Sequence, residues 1–110
     1  MQADSVMDID ILRSSADQAS RLMKALANPD RLLLLCQLTQ GELRVGELEE
    51  RVGIAQPTLS QQLGVLREEG LVSTRRDGKA IYYSVASPQA LAVMTVMYEQ
   101  FCKTSKEKTL

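Results

Sequence analysis

A chain of 110 residues with 45% hydrophobic and 25% charged residues is long enough for one core, too short for two, and too apolar to be disordered. Aromatics at 4% and no Trp favour helices over a β-sandwich. The net charge of −1 speaks against a uniformly basic nucleic-acid surface, and no apolar run reaches the roughly 18 residues of a membrane span.

The start of the chain carries Asp4, Asp8 and Asp10 and lacks the basic-then-apolar pattern of an export signal, so a cytoplasmic protein with reduced thiols is expected. Leu12, Ala16, Ala19, Met23 and Leu26 recur at steps of three and four and predict a first amphipathic helix. Asn28, Pro29 and Asp30 read as a cap, a first-turn proline and an acid at the positive end of a second helix. Its run Leu32 to Cys36 is apolar all round, which predicts a central position before Gly41 stops it. A short third helix covers residues 45–52, closed by Gly53. Pro57 opens a fourth, ending at Gly70, with Leu59, Leu63 and Leu66 as its buried stripe.

Two β-prone runs, residues 71–76 and 79–85, flank Asp77-Gly78, a strong hairpin signal. Ser87 and Pro88 cap a last helix reaching about Lys103, with Leu91, Met94, Tyr98 and Phe101 on one stripe widened by Ala90, Val93, Met97 and Cys102. A helix this apolar in a small protein is expected to pack on its own core and on a second copy. Residues 1–10 and 104–110 read as flexible tails of a single domain.

Two helices joined by a short turn, the second polar on its outer face, make a helix-turn-helix, and the basic hairpin after it reads as a wing. A helix fits the major groove of double-stranded DNA, and short polar side chains near its start reach base edges. Gln56 and Gln61 are the candidate base contacts, and Thr58 and Ser60 are candidate donors to phosphate. Arg75, Arg76 and Lys79 would neutralise backbone charge or probe the minor groove. Charge is segregated to suit: residues 71–85 carry net +2, while the acids gather in residues 42–50.

The runs Ala25 to Leu32, Gln56 to Leu63 and Leu66 to Val72 resemble the ArsR family of winged-helix repressors, in register and order over residues 12–103. The resemblance implies a mainly helical winged helix-turn-helix with a small β-hairpin, four helices before the hairpin and one after it. It also implies a homodimer built by the first and last helices, and palindromic operator binding that an inducer abolishes. One departure is Ala55, where many members place a capping Ser, at a cost of about 1 kcal/mol. Metal-binding members use two thiols in the third-helix region, where this chain has Arg44 and Gly46, or last-helix sites with His, which this chain lacks. A metal cofactor is therefore not expected.

Cys36 on the second helix and Cys102 near the end of the last are similar to the thiol pair of the branch that answers reactive sulfur or oxidant. That likeness implies that a disulfide or polysulfide bridge between them abolishes DNA binding. From the residues alone the pair reads as ordinary core thiols, and Tyr98 as a packing aromatic, with shielding of Cys102 the alternative. The alternative is thus a DNA-binding regulator with structural cysteines and a different inducer or none. An enzyme is not expected: there is no C-x-x-C pair, no His base, no phosphate loop and no hydrolytic triad.

Overall fold

A computed structural model describes residues 8–103. Five α-helices enclose a small antiparallel sheet, in the order α1 (Ile9–Leu26), α2 (Pro29–Leu38), β1 (Leu43–Arg44), α3 (Val45–Val52), α4 (Thr58–Glu68), β2 (Val72–Asp77), β3 (Ala80–Val85) and α5 (Pro88–Met97). The expected tails at residues 1–7 and 104–110 lie outside the described residues. Residues 8–10 are not a tail but the start of α1, because Asp8 caps it: its carboxylate accepts from the backbone N–H of Asp10 at 2.9 Å and of Ile11 at 3.3 Å.

The other helix starts follow their local chemistry. The Asn28 side chain accepts from the Arg31 N–H at 3.1 Å, with Pro29 in the first turn of α2. Ser87 accepts from the Ala90 N–H at 3.0 Å at the start of α5. Gly53 closes α3 at φ +70°, a left-handed conformation that a side chain would strain.

The core gathers Leu34, Leu35 and Leu38 of α2, Leu48 of α3, Leu59, Leu63 and Leu66 of α4, Leu71 and Val72 at the wing, and Ala90 and Met94 of α5. The apolar run of α2 is not buried on every side, since Leu33 faces out. β2 and β3 form the expected hairpin, turning between Asp77 and Ala80, but a third strand joins it: β1 pairs with β3 through Leu43 opposite Tyr83 and Arg44 opposite Tyr82. The last helix is α-helical only to Met97, and Tyr98–Lys103 continue as a π-helical turn.

The expected stripe of α1 is present, yet only Ala25 and Leu26 of this helix are buried. Ile9, Ile11, Leu12 and Met23 lie exposed, as do Leu91, Tyr98 and Phe101 towards the end of the chain. The Cα radius of gyration is 16.5 Å, against about 13 Å for a compact 100-residue domain. α1 thus extends from the body with its apolar side uncovered.

Candidate nucleic-acid interface and cysteine pair

α3, the turn at residues 53–57 and α4 form the helix-turn-helix. Its Leu stripe points α4 into the core, which leaves Thr58, Ser60, Gln61 and Gly64 exposed. The N-cap of α4 falls at Pro57, two residues after Ala55, and offers no side-chain acceptor; Gln56 just before it supplies one. Its side-chain carbonyl receives the Ser60 N–H at 3.2 Å and the Ser60 hydroxyl at 2.6 Å. The Ser60 proton is therefore committed inside the helix and is not free for phosphate, whereas the Gln56 amide N–H groups remain available.

On the wing, Arg76 and Lys79 are exposed, and neither has an ion pair among the described residues. Arg75 differs from the sequence expectation of a phosphate contact. Its guanidinium donates through Nε and Nη2 to both carboxylate oxygens of Glu42, the Nε bond being 3.2 Å long. It also lies 4.6 Å above the Tyr82 ring centroid. This hydrogen bonding holds the Glu42 carboxyl below, and the Arg75 guanidinium above, their ordinary ranges. Arg75 ties the wing to the segment before β1.

Cys36 sits in the last half of α2, half-buried against the core, and Cys102 sits exposed in the π-helical turn; both are free thiols. Burial, and secondly the nearby negative charge of Cys102, push the Cys36 thiol above the ordinary range. Tyr98, one turn before Cys102, is half exposed and not a core residue.

One functional cation escaped the sequence reading. Arg31 donates from Nη1 to the Gln62 side chain of α4 at 2.8 Å, from Nη2 to the Lys24 carbonyl at 3.3 Å, and from Nε to the Ala25 carbonyl. Carbonyls at the C-terminal end of a helix attract cations in general, so an Arg just after the next helix's cap was the available signal.

A helix-turn-helix with an exposed polar second helix and a following β-hairpin defines a winged helix-turn-helix DNA-binding protein. The chain belongs to the arsR family of bacterial regulatory proteins, whose model matches residues 28–74. It is 47% identical over 96 residues to the biofilm growth-associated repressor of Xylella fastidiosa, covering 87% of this chain and 84% of that protein. Reduced HlyU from Vibrio cholerae superposes with a TM-score of 0.79 at 37% identity, over 83% of this chain and 96% of that one. A homodimeric winged helix-turn-helix DNA-binding domain from Mycobacterium bovis gives 0.73 at 32% identity, over 89% and 91%. The relatives are transcriptional regulators, not enzymes, and among the described residues no helix is long and apolar enough to cross a membrane.

Proposed function

We propose that this chain is a homodimeric transcriptional repressor that binds palindromic operator DNA while Cys36 and Cys102 are reduced and releases it once they are bridged. The observation that carries the reading is the placement of two free thiols, half-buried Cys36 on α2 and exposed Cys102 just past α5, at two helices that pack against each other. The apolar side of α1 and the exposed Leu91, Tyr98 and Phe101 are the surface a second copy would cover, in keeping with the homodimer from M. bovis. Gln56 before α4 and Thr58 and Gln61 on it are the base- and phosphate-directed side chains, with Arg76 and Lys79 on the wing; the Ser60 oxygen keeps only its acceptor capacity.

The switch chemistry follows from access. A thiolate at exposed Cys102 attacks the sulfane sulfur of a persulfide, RS–SH, and expels RS⁻, leaving Cys102 as a persulfide. The Cys36 thiolate then attacks the inner sulfur and expels HS⁻, so two thiols become a disulfide and the sulfane sulfur becomes sulfide. If a second persulfide has converted Cys36 in the same way, its terminal sulfur attacks the inner sulfur of the Cys102 persulfide and expels HS⁻, leaving a trisulfide bridge, and peroxide reaches the disulfide through a sulfenic acid with loss of water.

Any such link ties α2, which packs against α4, to the end of the chain that follows α5. A dimer must meet two half-sites about 34 Å apart, so a change in the angle between its reading heads breaks simultaneous contact. A coupling of about 1–3 kcal/mol weakens binding roughly 5–150-fold.

The test is titration of a persulfide donor against a palindromic duplex selected by the reduced protein. The parent should release DNA, and Cys36→Ser and Cys102→Ser should stay bound. Serine variants that release as the parent does would leave a DNA-binding regulator with structural cysteines.

A further inference from the structure

We infer that Arg31 is the positioning residue of the DNA-reading helix: through Gln62 it sets the roll of α4 about its own axis, and with it the discrimination between operator and random DNA. The inference rests on the reading above that α4 enters the groove. Leu59, Leu63 and Leu66 hold α4 on the body by burial alone. Apolar burial is non-directional, so three leucines along one stripe fix the depth of a helix better than its rotation. A directional bond at the flank of the stripe fixes the rotation.

Among the described residues, α4 has two such polar ties to the preceding helices. The Arg21–Glu69 pair, 2.8 Å long, lies just past the C-terminal end of α4, and Arg21 is 74% exposed, so water and salt screen it. The Arg31–Gln62 bond lies in the first half of the helix and is part-buried. It neighbours Gln61 and is within one turn of Ser60 and Thr58, the side chains facing DNA.

The other end of this tie is equally anchored. The same planar guanidinium meets the carbonyls of Ala25 and Lys24 at the end of α1, the latter also taking the Ala27 N–H, while the Arg31 backbone N–H is held by Asn28. Arginine's rigid fork reaches acceptors on two sides at once; a lysine ammonium on a flexible stem keeps the charge and loses that geometry. The base-reading edge of α4 is thereby referred to α1, the helix with the uncovered apolar side.

A residue that orients the reading helix without touching DNA leaves the number of neutralised phosphates unchanged. Its loss should lower specific affinity and spare non-specific affinity and the salt slope. Binding of the full-length reduced protein to the selected palindrome and to a random duplex would be measured over a range of salt. Gln62→Met removes the acceptor at similar volume and should cut the ratio of the two affinities roughly tenfold, in line with one lost charge-assisted bond. Gln62→Glu keeps an acceptor for Arg31 and should retain the parent ratio.

Arg31→Lys should lose at least as much as Gln62→Met, since it also gives up the α1 carbonyls, and the double variant should be no worse than Arg31→Lys alone, because Gln62 acts through Arg31. Additive losses would mean that Gln62 reads DNA by itself and would overturn the inference. So would a Gln62→Met ratio equal to the parent's, or a salt slope that falls by about one unit on Arg31→Lys, the mark of a direct phosphate contact. A parent protein that does not prefer any palindrome overturns the DNA-reading assignment instead.

Discussion

Cys36 and Cys102 differ in access as well as in position. Burial raises the Cys36 thiol, and only its thiolate reacts, so at neutral pH Cys36 should alkylate more slowly than exposed Cys102. Its rate should climb about tenfold per pH unit until its raised pKa is passed. Mass-resolved labelling with iodoacetamide from pH 7 to pH 9 measures both, and faster labelling of Cys36 at pH 7 would reverse the order of attack proposed above. At the wing, Glu42→Gln removes the charge that holds Arg75. The freed guanidinium should then reach a phosphate and steepen the salt dependence of DNA binding by about one unit in a fluorescence titration. Both cysteines and the exposed wing cations were legible in the sequence, because residue type and hairpin turn mark them. The Glu42–Arg75 and Arg31–Gln62 pairings were not. Partners 33 and 31 positions apart meet only through the tertiary fold.

At the scale of elements, α4 depends on its three leucines. Leu63→Ala should destabilise the fold by about 2–5 kcal/mol, a transfer loss plus a cavity, read as a lower urea midpoint with lost operator binding. Helices opened by a cap followed by an apolar run, as at Asn28 and Ser87, showed plainly in the sequence. Two elements gave no such sign. Two residues of β1 carry no alternation to detect, and their pairing with Tyr82 and Tyr83 is settled by the neighbouring strand. The π-helical turn at Tyr98–Lys103 follows a stripe read at 3.6 residues per turn, which gives no warning of a wider one. The capping gap was read at Ala55, whereas the N-cap falls at Pro57, and the acceptor supplied by the Gln56 side chain across one helical turn is a matter of geometry.

For the whole molecule, the first helix decides. Its stripe was correctly placed in the sequence, but apolar periodicity says only that a face is covered, not by which chain. Leu12→Glu or Met23→Glu sets a charge on that face, and in analytical ultracentrifugation should shift the protein from dimer to monomer while weakening operator binding at least tenfold. A monomer as tight on DNA as the parent would exclude α1 from the interface. An uncovered apolar side also couples upkeep to abundance. Whatever binds only the native form adds to its margin by mass action, and in the proposed dimer the binder is another copy. The melting temperature should therefore rise with concentration, and scarce, newly made copies should fall to proteases sooner than plentiful ones.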